Sequence, residues 1–595
     1  VDERGRGPAA PTRRRALLAV LALALALRVG HVLTLRGTPV LDYHRSFTES
    51  DMRMFDGWAR TLAAGDWLGA RTHHPLYAWQ TAAAPAERWA EWYGREPTYY
   101  KAPFYAYLLA ALIRLFGEAA LPVALLQAAA STAACLLLHA LTRRAFGEDA
   151  GLLAALLFAL YAPAIHFDAV MLRGPWIVLA ALGVAWRLAV LCDAPSARSA
   201  VAAGAVVGGA VLVNEGFGPL PLLAAGAAFV SARPRARALR LALGLLAGTA
   251  AALAPVALRN LAVGAPPLEL AVTGGTVYAV FNAAGSSPFF FEIRPAAFLP
   301  VLERSGGSLG AAVLESLRTF PGPGAVFAFY ARKALGLLVP FENPDNVNFY
   351  YVALRSPLLA LLPGYALLLP LACLGLALAR RRLGALVPLL PPAACLLLTM
   401  LLALPLSRYR VTLTVLLLPP AGLAAARLIE WARGRRWKAA GVALAALAVV
   451  GAASRWLEAR VVFAGRPAAL HRYRPPEFWI GVAENERKGA LDAAVREAVD
   501  LGRLNPDQGH KLWALVTVAR IEAGRGRVRA ATEALAGAEQ LAAGDAARLL
   551  EVGDTWRRLL RDRARADAAY GRALALGPEP QLRASLEGRL AGRLE

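Results

Sequence analysis

Stretches of about 20 residues without a charged side chain recur along this chain, and that is the length an α-helix needs to cross the hydrocarbon core of a bilayer. Backbone polar groups find no partner in lipid, so segments of this kind are confined to structures that satisfy them internally. The hydrophobic fraction is 57% over 595 residues and the mean hydropathy is +0.45, too apolar for an ordinary soluble protein. The net charge of +23 does not point to nucleic acid. Arginines occupy the short breaks between apolar segments, as positive-inside sorting requires. Lysine is scarce (Lys101, Lys333, Lys438, Lys488 and Lys511), which singles out Lys101 as the only lysine before Lys333.

The arginine-rich breaks set the orientation. They fall at Arg13 to Arg15, Arg143 and Arg144, Arg198, Arg233 to Arg240, Arg380 to Arg382 and Arg433 to Arg436. With all of them on the cytoplasmic face, helices are predicted near 16–35, 121–141, 150–166, 169–190, 200–215, 217–232, 240–258, 356–379, 384–404, 411–432 and 438–453, about eleven spans. Phe104 to Phe116 and Phe327 to Val339 read as short spans or interfacial helices. The first apolar segment follows Arg13 to Arg15 like a signal sequence but lacks an Ala-x-Ala site, and is read as a retained helix. Cys135, Cys192, Cys373 and Cys395 show neither CxxC spacing nor extracytoplasmic pairing, and are read as packing residues.

Four regions follow: a basic cytoplasmic N-terminus (1–15), a membrane domain (16–455), a linker (456–475) and a soluble helical domain (476–595). In the last, Ala566, Tyr570, Ala573, Leu574, Leu576 and Pro578 follow the second helix of a tetratricopeptide repeat, and 490–506 and 528–542 look like degenerate copies. Such repeats suit a protein partner.

Chemistry is expected at the outer face, where the polar regions 36–118, 259–355 and everything after 455 collect. In the first loop, Met52, Phe55, Trp58, Ala59 and Leu62 recur at helical spacing, a face suited to lying on a membrane. A second amphipathic helix is predicted over 86–93, with Trp89 and Trp92 as interfacial aromatics. Asp51 opens this region and is either a general base or a helix N-cap. Asp56 and Asp66 are weaker candidates. His73, His74 and His166 lack further ligands at metal-binding spacing and read as solvated, so no metal site is expected.

Several short motifs, in order, resemble the GT-C membrane glycosyltransferases, in particular the protein-O-mannosyltransferase and aminoarabinose-transferase-like group (glycosyltransferase family 39). They are Ser50-Asp51 through Trp58-Ala59 to Gly65-Asp66-Trp67; Lys101-Ala102-Pro103-Phe104-Tyr105; Tyr161-Ala162-Pro163 leading to Asp168 and Leu172-Arg173-Gly174-Pro175; Arg259-Asn260 with Gly274-Gly275 and Phe281-Asn282; Glu342-Asn343-Pro344-Asp345-Asn346; and Ser407-Arg408-Tyr409-Arg410. The resemblance covers about residues 10–450. It implies an all-α polytopic fold and an inverting, metal-independent transfer of a sugar from a polyprenyl-phosphate donor to a protein, lipid or glycan acceptor at the outer face of a bacterial inner membrane. No cofactor beyond that donor is implied.

On this resemblance Asp51 is the base, and Lys101, Arg259, Arg408 and Arg410 are the candidates to hold the donor phosphate. Asp168, Asp56 and Glu342 are acceptor-positioning or structural; for Asp168 the favoured partner is Arg173. Two departures stand out. Gly174 replaces the glutamate that relatives carry before Pro175, and Asp51-Met52 replaces a carboxylate pair. A transporter or flippase of a lipid-linked substrate is the rival reading, and it would require charges buried mid-helix and internal repeat symmetry. A membrane scaffold with an interaction domain is a third.

Overall fold

The computed structural model describes residues 11–71, 73–94 and 96–592, and every regular element among them is a helix. Residues 1–10 of the expected basic N-terminus lie outside the described residues. The chain divides into two compact units at Gly465 and Arg466, inside the expected linker.

Among the described residues of the first unit, eight helices are long and apolar enough to cross a membrane: Thr12–Leu35, Ala120–Phe146, Gly174–Asp193, Arg235–Ala262, Pro357–Leu378, Leu383–Leu402, Ser407–Arg433 and Trp437–Val462. Glu148–Leu160 and Ala162–Asp168 make a ninth if counted together, although they meet at a 58° bend. Ala197–Val213 and Glu215–Val230 are apolar but shorter. Every segment expected from the arginine breaks therefore has a helical counterpart, but three are short or bent.

The bend has a cause in the sequence. Pro163 cannot donate to, and clashes with, the carbonyl four residues back, that of Ala159. That orphaned carbonyl and its neighbour are satisfied by Arg28, whose guanidinium donates to Ala159 O (3.2 Å) and Phe158 O (3.2 Å). Arg28 Nε also donates to Asp168 Oδ2 at 2.6 Å, and Ser131 Oγ donates to Asp168 Oδ1 at 2.6 Å. Arg28 and Asp168 are both buried. Ionisable groups are thus not confined to helix ends: one buried pair sits inside the bundle.

Elsewhere small residues let helices touch. A Cβ on Gly204 would lie 1.9 Å from Leu245 O, and one on Gly248 2.0 Å from Val201 O. The backbones of Ala197–Val213 and Arg235–Ala262 therefore meet directly, as in small-residue membrane packing.

The first-loop helices form where expected, as Asp51–Ala63 and Ala86–Tyr93, but their apolar faces do not lie on lipid. Met52, Phe55, Trp58, Ala59 and Leu62 are buried in protein. The helix Phe104–Phe116 supplies part of the cover, with Phe55 and Tyr105 rings 5.1 Å apart. Trp89 and Trp92 are buried too, packed edge-on at 5.0 Å. Helical periodicity gives the width of an apolar face, not the identity of what covers it.

Lys333, in Pro323–Gly336, is fully buried. Its Nζ lies within hydrogen-bond distance of Phe281 O (3.0 Å), Asn282 Oδ1 (2.7 Å), Leu401 O (3.2 Å) and Ala403 O (2.7 Å). It thereby fixes the strap leading into Ser407–Arg433.

The second unit contains the helices Pro475–Arg487, Leu491–Leu504, Gln508–Gly524, Val528–Leu541, Ala546–Thr555, Arg563–Ala575 and Pro580–Leu590. Successive helices pack side by side. Ala566, Tyr570 and Ala573 are buried with Leu549, Val552 and Trp556, so the small and aromatic residues singled out by spacing are the ones that join helices.

Candidate functional site

Asp51 is the first residue of its helix and not the cap. Ser50 caps it: its backbone is extended, and its Oγ accepts from Arg53 N at 3.2 Å. Capping is therefore done without the Asp51 carboxylate, which turns instead to the loop 341–348 and to the start of Ser407–Arg433. Arg408 Nη1 donates to Asp51 Oδ2 at 2.6 Å. Asn346 Oδ1 accepts from Asp51 N at 2.6 Å, and Asn346 Nδ2 lies 3.4 Å from Asp51 Oδ2. The other side of Arg408 meets a second carboxylate, with Nε 2.7 Å from Asp345 Oδ2. Its Nη2 donates to Tyr409 Oη at 2.8 Å. One guanidinium is thus shared by two carboxylates contributed by segments far apart in the chain.

Beside this fork lies a second cluster. Arg173, just before Gly174–Asp193, makes a two-pronged pair with Glu215, whose Oε1 is 2.6 Å from Nη2. Glu215 also accepts from Ala102 N at 3.3 Å and lies 3.8 Å from Lys101 Nζ. Gly174 leaves the turn before Pro175 without a carboxylate of its own. Glu215 supplies one from the break between two later helices.

The clusters share one electrostatic field. Burial alone would raise the Asp51 carboxyl, but Arg408, then Lys101 and Arg173, hold it below the usual carboxylate range. Burial, aided by Arg173 and Arg408, draws the Lys101 ammonium below its ordinary value despite Glu215 and Asp51. Asp51 and Arg408 keep 19% and 16% of their side-chain surface open, and Lys101 keeps 12%. These are charges that a ligand can reach.

The remaining candidates do other work. Arg410 and Arg408 are two residues apart on a helix, so their side chains leave in different directions. Arg410 runs inward to Val339 O (2.5 Å) and Glu342 Oε2 (2.7 Å), and lies over the Tyr365 ring at 4.4 Å. Ser407 Oγ donates to the same Glu342 oxygen. Arg410 and Glu342 are closed off, with 3% and 5% exposure, and brace the loop that presents Asp345 and Asn346. Arg259 binds Leu68 O (2.6 Å) and Gly69 O (2.5 Å) and lies 4.0 Å from the centre of the Tyr99 ring, clamping the first loop. Asp56 is buried and pairs with Arg60 at 2.9 Å. Asp66 accepts from Ala70 N at 2.8 Å, closing a turn.

Asp168 does not pair with Arg173, as the spacing suggested. Its partner is Arg28, because the Pro163 bend carries Asp168 to the first helix while Arg173 is taken by Glu215. The histidines are not simply solvated: His166 is buried between Phe167 and Phe349, and His74 Nε2 lies 3.2 Å from Thr98 O.

Arg173 and Asp345 stand within motifs read from the sequence, but neither they nor Glu215 were among the candidate site residues. Glu215 carried a signal: it is the only acidic residue between Asp193 and Glu269. Asp345 stood inside the polar run 342–346 with nothing to distinguish it from Glu342.

Residues 100–258 match the family described as dolichyl-phosphate-mannose-protein mannosyltransferase. Among solved structures, the chain is similar to the archaeal oligosaccharyltransferase AglB from Archaeoglobus fulgidus in complex with an inhibitory peptide and a dolichol-phosphate. That similarity has a TM-score of 0.37 and 15% identity, covering 75% of this chain and 55% of that one. The apo form of the Archaeoglobus fulgidus oligosaccharyltransferase gives a TM-score of 0.39 and 14% identity, over 74% of this chain and 56% of that one. The form tethered to an acceptor peptide containing the NVT sequon gives 0.40 and 15%, over 75% and 55%. The chain thus spans about half the length of the structures it matches, 55% in the first of them. No curated protein matches it.

Proposed function

We propose that this chain is a multi-pass membrane glycosyltransferase of the GT-C type, which moves a sugar from a polyprenyl-phosphate carrier to an acceptor hydroxyl at the outer face of the membrane, a reading supported by the family match over residues 100–258. Asp51 is the general base. The observation that carries this reading is the partly open Asp51–Arg408–Asp345 fork beside Lys101 and Arg173: a base next to a cluster of cations, with the segment after the first predicted membrane helix contributing the base.

The reaction is a single displacement with inversion. The acceptor oxygen attacks the anomeric carbon and its proton passes to Asp51. The bond from that carbon to the phosphate oxygen breaks, and polyprenyl phosphate leaves. A carboxylate paired to a guanidinium is a weak base, whereas an efficient one has a pKa near the working pH. The donor phosphate offers Arg408 a competing partner, so its arrival loosens Arg408 from Asp51 and raises the basicity of that carboxylate. Lys101, Arg173 and Arg408 then face the charge that develops on the leaving phosphate, as preorganised donors in a partly dry site. Arg408 already supplies a cation between the two carboxylates, so the transfer runs without a metal ion.

The test is direct. Purified protein in proteoliposomes, assayed in chelator with polyprenyl-phosphate sugars, should release polyprenyl phosphate and produce a glycosylated acceptor. Failure with every such donor would overturn the reading.

The pH dependence follows from two partly buried charges, Asp51 and Lys101. In the free protein Asp51 lies below its ordinary 3.8, so it stays ionised there, and kcat/KM, which reports the free protein, stays flat down to that pH. Lys101 lies below its ordinary 10.5. As pH rises through its lowered value the ammonium is lost, and the donor KM should rise before pH 10.5 is reached. Lys101→Arg should move that alkaline limb upward, because a guanidinium keeps its proton. A donor KM that stays flat through pH 10.5 removes Lys101 from the phosphate site.

The transporter reading is favoured by one observation, the buried Arg28–Asp168 pair, since intramembrane charges commonly mark transport paths. Here the pair is satisfied by Ser131 and by carbonyls freed at a helix break, which is a structural use. Asp168→Asn should therefore lower thermal stability by about 3–5 kcal/mol, the cost of leaving one buried charge without its partner. Donor KM should be unchanged in the folded fraction; a raised donor KM at unaltered melting temperature would instead place Asp168 on the substrate path.

A further inference from the structure

At the end of the bundle opposite the Asp51 fork, a cavity of about 160 Å³ lies where Gly174–Asp193, Leu220–Ser231, Arg235–Ala262 and the turn at Pro388 meet. Gly174–Asp193 starts next to Arg173 and runs about 30 Å, at 1.5 Å per residue, before reaching the cavity at Cys192. The two sites are therefore separated by the thickness of a bilayer core. The cavity is walled by apolar side chains, among them Leu188, Leu191, Ala228, Leu241 and Val387. Its volume far exceeds the ~10–15 Å³ of probe-occupied space that one water needs.

Two exposed arginines, Arg233 and Arg237, line it. Each makes a single hydrogen bond, to a backbone carbonyl: Arg233 Nη1 to Ala232 O at 3.1 Å and Arg237 Nη2 to Pro195 O at 2.8 Å. Neither pairs with a carboxylate among the described residues. Asp193, at the same end, is held from both sides by Arg144, at 2.7 and 2.5 Å. No acidic residue occurs between Glu215 and Glu269 to compensate the arginines. The flanking surface is open and apolar, with Leu222 and Val230 each 72% exposed and Leu239 51% exposed.

We propose that this cavity binds the headgroup phosphate of an anionic phospholipid, with Arg233 and Arg237 on the phosphate and the apolar flank against the acyl chains. Unpaired guanidinium donors match phosphate oxygens in geometry and charge. Basic pockets between membrane helices are suited to anionic headgroups. A zwitterionic lipid would bring its own cation to the arginines and lose that advantage. Positive-inside sorting accounts for arginine in the segment as a whole, but it does not distinguish Arg233 and Arg237 from Arg235 and Arg240. Only the first two line the cavity.

That difference provides the test. Cys192 lines the cavity and is exposed, so maleimide labelling at Cys192, resolved by peptide mass spectrometry, reports occupancy in the full-length detergent-solubilised protein. Cys373, in a different helix, serves as the internal control for fold and micelle. Phosphatidylglycerol at ten times its dissociation constant should slow Cys192 labelling about tenfold, as one-site occupancy requires, and leave Cys373 labelling unchanged. Arg233→Gln with Arg237→Gln should abolish that protection, and Arg235→Gln with Arg240→Gln should preserve it. Equal protection by phosphatidylcholine, or by inorganic phosphate, would overturn the proposal, as would equal loss of protection in both double variants. Absence of protection by phosphatidylglycerol would overturn it too.

Discussion

Asp51→Asn is expected to bind the lipid-linked donor with little change in KM while losing about 10²–10⁴-fold in kcat, the range that a positioned general base contributes. Asparagine keeps the shape of the side chain, and the main-chain bond from residue 51 to Asn346 does not depend on the carboxylate. Ser50, not Asp51, caps the helix, so the substitution leaves the cap intact. The loss should appear in single-turnover rates with donor and acceptor both bound, and thermal unfolding should shift little. If the helix depended on this carboxylate, stability and activity would fall together. Full turnover by a folded Asp51→Asn protein would remove Asp51 from the chemistry.

Arg408→Met is expected to have an effect of similar size by a different route. Loss of a preorganised cation at a developing oxyanion costs about 10²–10³-fold in kcat. It also leaves Asp51 and Asp345 together without the guanidinium that now separates their charges. The sign follows from linkage: Arg408 holds the folded-state value of Asp51 below its ordinary one, so its removal raises that value. Activity that was retained down to acid pH should then be lost at higher pH than in the parent protein, whereas the stability contributed by the ionised Asp51–Arg408 pair disappears with Arg408 and no longer falls on acidification. The shift should appear in the pH–rate profile of kcat/KM. Arg408→Lys keeps one positive charge but not the planar fork that reaches both carboxylates, so it should restore only part of the activity. Adding Asp345→Asn to Arg408→Met removes the repelling carboxylate and should return the acid limb towards that of the parent. An acid limb identical in all four proteins would mean that Arg408 does not control Asp51.

Apolar runs and arginine breaks located the membrane helices well, because both signals are local: helix length and interfacial charge depend on residues close in sequence. Ala162–Asp168 shows where that logic stops. The apolar run continues past Tyr161, but Pro163 turns the backbone by 58°, and only Arg28, from another helix, accounts for the carbonyls this exposes. The amphipathic face of Asp51–Ala63 was equally legible as a pattern, and its assignment to lipid was wrong because the covering surface comes from Phe104–Phe116 and other parts of the loop.

The sequence alone determined the apolar helices of a polytopic membrane protein, and it placed Asp51, Lys101 and Arg408 among the candidates that the fold brings together. Tertiary structure decided the partners. Asp51 and Arg408 are 357 residues apart, Arg28 and Asp168 are 140 apart, and Arg173 and Glu215 are 42 apart. A charge carries no mark of which opposite charge it will meet, since that depends on where helices bend and how closely their backbones pack. Arg408 and Arg410 are nearly indistinguishable in sequence; the roughly half-turn of helix between them sends the first to the partly open fork and the second into the structural brace.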